Sequence, residues 1–359
     1  MLTASLAPDH ALANGCPGLV RLWLAVVALL VLAMIVVGGA TRLTDSGLSI
    51  TEWRPLLGAI PPLSDADWQD AFAKYQQIPE YREVNRGMSL DAFKVIYWWE
   101  WGHRFLGRII GVVFAVPLLA LWLTGRLPRG LGLPLTGLFL LGGLQGAIGW
   151  YMVKSGLTEG VDVSPYRLAL HLSMAILILG LIVWTMLALS PPDRRVILLD
   201  TTTPAQRRRA TLLLALIALQ IVAGAFVAGH KAGLVYNTWP TMNGDLVPGG
   251  LLMLTPWWLN AVENITTLQF NHRMLAYALV LLALWHAWSV STSADARIPG
   301  ATAILLAIGL VAQAALGIVT LLAVTDAKIP VGLGVAHQGG AAVVFVLAVW
   351  HRHAIGRRG

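Results

Sequence analysis

The chain has 359 residues, 57% of them hydrophobic and only 12% charged, with a mean hydropathy of +0.70 and a formal net charge of +7. A soluble domain carries about twice that share of charged residues, so the composition excludes a soluble globular protein and points to an all-α polytopic membrane protein. The lone cysteine, Cys16, excludes an intrachain disulfide framework, a cysteine-ligated iron–sulfur cluster, a cysteine-rich zinc site and CxxCH heme attachment. The positive charge follows membrane topology and does not imply nucleic acid.

A tail over 1–18 precedes the first apolar run, which is long enough to span and lacks a convincing cleavage site, so no removable signal peptide is expected. Spanning helices need about 20 mainly apolar residues. Eight are expected, near 19–40, 94–124, 131–153, 166–189, 211–230, 265–290, 301–324 and 331–350. Arg126 and Arg129, then Arg194, Arg195, Arg207, Arg208 and Arg209, then Arg297, and finally Arg352, Arg357 and Arg358 all fall on one side. The excess of positive charge on cytoplasmic loops therefore puts both termini in the cytoplasm. Two long connections, 41–93 and 231–264, lie on the other side. The first carries Pro61, Pro62, Asp65, Asp67 and Trp68 with an amphipathic stretch near 65–76. It reads as short interfacial helices forming a lid or, equally, as an ordinary solvated loop.

The sequence repeats. EWGHRFLGRIIG resembles QFNHRMLAYALV, GLQGAIGWYMV resembles VAQAALGIVTL, and YRLALHLSMAI resembles GLGVAHQGGAA. Each half reads as a four-helix bundle, 19–190 and 211–350, joined by a basic linker at 191–210 and followed by a tail at 351–359. Same-orientation halves predict a pseudo-twofold axis along the membrane normal. The repeat places His103 against His272 and His171 against His337, with a separation of 68 residues from His103 to His171 and 65 from His272 to His337. Ionisable groups inside apolar spans are costly and usually functional. Two histidines facing each other across a bundle can hold a heme iron from both sides, so two pairs suggest two heme sites. From each histidine to the cytoplasmic helix end is roughly 13–20 residues, about 20–30 Å, which puts all four toward the outer face. The bland reading, interhelical hydrogen bonds, weakens when four histidines keep repeat register.

Glu100 lies three residues before His103 and shares its helical face. It could serve as an acid/base beside a heme ligand or pair with an arginine at the interface. Its counterpart is Gln269, an asymmetry suggesting that the first half reacts and the second holds a permanent cofactor. Arg104 and Arg273 could bind heme propionates or snorkel to lipid; Arg108 is a weaker candidate. Gln145 and Gln313 read as packing glue or as heme contacts. The glycines of helix 3 (Gly142, Gly143, Gly146, Gly149) and Gly339-Gly340 allow close approach of helices or of a flat macrocycle. His230 reads as solvated, His286 as interfacial, and His10, His351 and His353 as tail residues.

At these residues the chain resembles the heme A synthase family, from about residue 20 to 350. GGATRLTDSGLSITEWRPLLGAIPPL, EWGHRFLGRIIG, GLQGAIGWYMVKSGL, TLQFNHRMLAY and GVAHQGGA carry the resemblance. The missing outer-loop cysteine pair is like the alphaproteobacterial and mitochondrial branch. The resemblance implies oxidation of the C8 methyl of heme O to a formyl group, giving heme A for cytochrome oxidase. It implies that His272 and His337 ligate a resident heme b, that His103 and His171 flank heme O, and that Glu100 sits near the reacting methyl. It also implies a bacterial inner-membrane location with heme sites toward the periplasm, and as partners a heme O synthase and an electron-transfer protein, with self-association left open. The competing readings are a diheme b-type electron carrier that uses the same four ligands, and a transporter.

Overall fold

The computed structural model describes residues 15–55, 57–158, 160–190, 202–293 and 297–356; His10, Arg194, Arg195, Arg357, Arg358 and the side chain of Arg297 lie outside the described residues. The described chain is helical, in the order α1 (Pro17–Leu43), α2 (Asp65–Tyr75), α3 (Pro79–Glu83), α4 (Leu90–Leu123), α5 (Gly132–Thr158), α6 (Pro165–Ala188), α7 (Pro204–Gly229), α8 (Ile265–Ser291), α9 (Arg297–Leu322) and α10 (Val331–Ala354). Eight of these, all but α2 and α3, are long and apolar enough to cross a membrane, as the hydropathy predicts. Lipid offers backbone polar groups no partners, so helices that satisfy their own hydrogen bonds are one of the few ways to span it.

Helix ends follow capping chemistry more closely than hydropathy. The basic segment expected in the linker opens α7 instead. Thr203 and Gln206 form a reciprocal capping box ahead of Pro204, and the Gln206 amide also donates to the Ser289 carbonyl on α8 at 2.7 Å. These bonds satisfy the free N–H groups of the first turn and draw Arg207, Arg208 and Arg209 into the helix. Likewise Ser89 caps α4 four residues before the expected start.

The helices pack in a repeated plan. Within the first half α1 lies against α4 and α6, and within the second α7 lies against α8 and α10. Between halves α1 packs on α10, α6 on α7, and α6 on α10. This plan is consistent with a pseudo-twofold axis between α6 and α10, and it puts α1, α6, α7 and α10 at the centre. One place breaks the plan: α9 packs closely along α8, whereas α5 barely touches α4.

The connection from α1 to α4 is a folded unit. Ser64 and Asp67 cap α2 with a capping box. Trp68, Phe72 and Tyr75 of α2 are buried with Phe93, Ile96 and Tyr97 of α4. Trp68 meets Tyr97 edge-on at 5.0 Å, and Phe72 and Tyr75 meet Phe93 at 5.1 and 5.2 Å. Aromatic pairs at such distances add to simple burial. Of the two readings of 41–93, short packed helices are what forms.

Candidate heme sites

Each of the four histidines rests on a glycine of a neighbouring helix. A methyl group built on Gly38 of α1 would lie 3.0 Å from the His103 ring, and on Gly149 of α5 it would lie 2.8 Å from His171. On Gly224 of α7 it would lie 3.1 Å from His272, and on Gly317 of α9 it would lie 2.8 Å from His337. A side chain would crowd the imidazole at each position, so the four glycines are as much part of the pattern as the histidines. Gly142, Gly143 and Gly146, grouped with Gly149 on sequence grounds, face open space instead.

Three of the histidines are also held by a glutamine one helical turn before that glycine. The amide of Gln145 donates to the His171 carbonyl at 3.0 Å, that of Gln220 to the His272 carbonyl at 2.9 Å, and that of Gln313 to the His337 carbonyl at 2.7 Å. The amides of Gln220 and Gln313 also lie 3.1 and 3.0 Å from Nδ1 of the same rings. Of the two readings of Gln145 and Gln313, clamps on the histidine-bearing helices fit this geometry. Gln220 escaped the sequence reading. The signal was there: Gln-x-x-x-Gly at 145–149, 220–224 and 313–317.

At the loop end, Glu100 is 2% exposed. One carboxylate oxygen accepts from Ser49 Oγ and the Ile50 N–H, both at 2.7 Å; the other accepts from Arg104 at 2.6 and 3.1 Å. Arg104 further donates to the Ile50 and Glu52 carbonyls, and Arg108 to those of Arg54 and Pro55. The second half repeats the clamp in register. Arg273 donates to the Tyr236 carbonyl at 2.8 Å and the Thr238 carbonyl at 2.9 Å, and Gln269 donates to the Tyr236 carbonyl at 3.1 Å. The two arginines therefore hold the outer connections onto the helices that carry His103 and His272.

His272 and His337 line a cavity of about 770 Å³, within the size range of ligand pockets. Its walls include Ile217, Leu279, Leu310 and Val344, with Arg42, Lys231 and Arg273 among its few charged residues. Asp162 ties Arg42 and Lys231 together at 3.0 and 2.6 Å. Buried polar atoms with no protein partner remain here: Gln220 Oε1, Gln269 Oε1 and Arg273 Nε.

His230, His286 and His351 differ from their sequence reading. His286 and His351 are 1% and 0% exposed and face each other, Nε2 to Nε2, at 2.8 Å. His351 Nδ1 lies 2.9 Å from Thr302 Oγ1. Neither is interfacial or part of a tail, because α10 continues to Ala354 and buries its last turns. No glycine seat underlies them, and direct ring contact leaves no room for an iron between them. His230 is partly buried and stacks on Phe226, not solvated.

Residues 21–349 match the family model described as cytochrome oxidase assembly protein. Among similar proteins, the heme A synthase of Parvibaculum lavamentivorans is 51% identical over 93% of this chain and 94% of its own length. Those of Sinorhizobium medicae and Agrobacterium fabrum are 49% and 50% identical, over 92% and 93% of this chain and 88% and 89% of their own lengths. With a match across nearly the whole chain and half of all positions identical to such relatives, the protein belongs to the cytochrome oxidase assembly protein family.

Proposed function

We propose that this protein is a heme A synthase, oxidising the C8 methyl of heme O to a formyl group, with heme O handled in the first half and a resident heme b in the second. The observation that carries this reading is the pair of repeated histidine sites on glycine seats, one lining a large cavity and one beside a loosely packed helix. His272 and His337 line a cavity whose apolar walls and basic residues suit a permanently held porphyrin. The fit extends to Arg42, Lys231 and Arg273, whose charges suit two propionates. When bound, heme b supplies one-electron transfer.

The first half suits a group that must come and go. α5 stands off from α4, and Gly137, Gly142, Gly143 and Gly146 of α5 face open space. A porphyrin with an isoprenoid tail would pass here from the lipid. His103 and His171 flank the substrate, and Glu100 lies three residues from His103 at the loop end. Both Glu100 oxygens already accept hydrogen bonds, so any proton it takes up displaces Ser49, Ile50 or Arg104. Arg104 and Arg273 hold the connections that cover the two sites and reach propionates only through groups left over from that clamp. A carrier with two permanent hemes b would use the same ligands but would not need the open side.

The protein is a multi-pass membrane protein. We place it in the bacterial inner membrane with both termini cytoplasmic and both sites toward the periplasm, in contact with a heme O synthase and an electron-transfer partner. The test is heme extraction and mass analysis from membranes that also contain a heme O synthase. Heme A from the wild type, with heme O or a hydroxylated intermediate from Glu100→Ala, is expected. Heme b with unchanged heme O from the wild type would overturn the reading in favour of the electron carrier.

A further inference from the structure

The glutamine clamp has four equivalent positions but only three glutamines. Gly47, Leu48 and Trp53 align with Gly233, Leu234 and Trp239, and Gly38 aligns with Gly224, all at one constant offset. That register puts Met34 where the second half has Gln220. The fourth motif reads Met-x-x-x-Gly at 34–38. Met34 is half-buried, and its methyl lies 3.5 Å from where a side chain on Gly107, one turn beyond His103, would begin. A thioether is a weak acceptor and no donor, so it cannot donate to the His103 carbonyl as the glutamines do to the others. Among the described residues, His103 has no side-chain hydrogen-bond partner on either ring nitrogen, and no side chain donates to its carbonyl. His171, His272 and His337 each have a glutamine.

We propose that Met34 leaves His103 as the one releasable ligand of the four, so that the first site can open a coordination position while the second cannot. Removing the hydrogen-bonded partner behind a metal ligand typically costs 10–100-fold in metal affinity or activity. At His103 the chain carries Met34 in the clamp position, whereas its partner His171 is held through its carbonyl by Gln145. A site that reacts at a substrate needs an open position; a site that only passes electrons is better closed. The inference rests on the reading that His103 and His171 hold heme O.

The test uses full-length protein co-expressed with a heme O synthase, purified, reduced and titrated with carbon monoxide, which requires an open position on ferrous iron. Wild type is expected to bind carbon monoxide at the heme O site alone. Met34→Gln should lower that binding by about 10-fold or more with heme O still present, and heme A formation should fall with it. Gln220→Met, made independently, should give the heme b site a carbon monoxide signal that the wild type lacks. Unchanged carbon monoxide binding in both variants would overturn the proposal, as would loss of heme O from Met34→Gln together with no new signal in Gln220→Met. If His103→Ala and His171→Ala keep heme O as well as the wild type does, the underlying site assignment has failed instead.

Discussion

Replacing Glu100 by glutamine separates what its carboxylate holds from what it reacts with. The amide keeps one oxygen, enough for Ser49 and the Ile50 N–H, now met at 2.7 Å. It turns an NH2 toward Arg104, whose donors lie at 2.6 and 3.1 Å, so an attraction becomes a clash of donors. A hydrogen bond to a charged group contributes about 1.5–3 kcal/mol, and breaking a fully buried pair costs about 3–5 kcal/mol. The Arg104 side chain is 19% exposed and keeps two backbone carbonyls, so the lower range applies. About 2 kcal/mol corresponds to about a 30-fold rise in the open population of the segment. Hydrogen exchange of residues 46–55 should speed up by that factor, with the corresponding segment 232–241 as an internal control. Ser49→Ala removes one donor and no charge, and should give a smaller loosening of the same segment. If Glu100→Gln abolishes heme A formation while exchange over 46–55 stays at the wild-type rate, the tethering argument is wrong and the carboxylate acts on the substrate directly.

Three further outcomes follow from the geometry. Gly317→Ala puts a methyl 2.8 Å from the His337 ring and should empty the second site of heme b, whereas Gly142→Ala, with open space around it, should leave heme content unchanged; pigment analysis of the purified variants decides. Glu80, buried at 5% exposure in α3 beside Tyr75, has its carboxyl pushed up to about 8 by burial. Between the ordinary carboxylate value near 4.3 and about 8, the folded connection holds a proton that the unfolded one has lost. Its stability therefore falls as pH rises, by at most about 1.4 kcal/mol per pH unit. Protease resistance of the connection from pH 5 to 9 should show that slope, and Glu80→Gln should flatten it. Replacing His286 by leucine strands the buried His351 Nε2, now met at 2.8 Å, at a cost of about 1–3 kcal/mol; thermal unfolding should shift while heme content does not, and a loss of heme would mean that the pair is a ligand site.

Much of this was legible because membrane helices announce themselves by length, and histidines inside them have few bland explanations. The four histidines, the repeat and the Glu100/Gln269 difference needed no coordinates. The glycine seats and Gln220 were missed for a physical reason: glycine and glutamine are common in such helices, and they gain meaning only when the partner helix is placed. The start of α7 was misjudged because hydropathy sees the arginines but not the capping box at Thr203. His286 and His351 were misplaced for the opposite reason: a histidine near a helix end looks interfacial until its neighbour, 65 residues away, is seen facing it. The arginines show how one residue type can satisfy two readings. Propionate binding and backbone clamping ask for the same planar, multidentate donor, and only the repeated bonds to Ile50, Glu52, Tyr236 and Thr238 reveal the second.

Three departures from the repeat lie around the first histidine pair. Met34 in place of glutamine lies on α1, Glu100 in place of Gln269 lies on α4, and the stand-off lies between α4 and α5. Met34 and Glu100 lie on the His103 side, whereas the stand-off involves α5, which also carries the Gln145 clamp and the Gly149 seat of His171. Met34 and Glu100 at one ligand, with Gln145 at the other, fit a division of labour within a single site: one histidine keeps the iron in place while the other side bears the carboxylate and can let go. On this argument, moving the three features together should matter more than moving any one. A chain carrying both Met34→Gln and Glu100→Gln resembles the second half around His103, and it should hold heme as a static pair without forming heme A. Its heme content and spectrum, set beside those of the single variants, would show whether the losses add or whether, as contacts sharing one site predict, they couple.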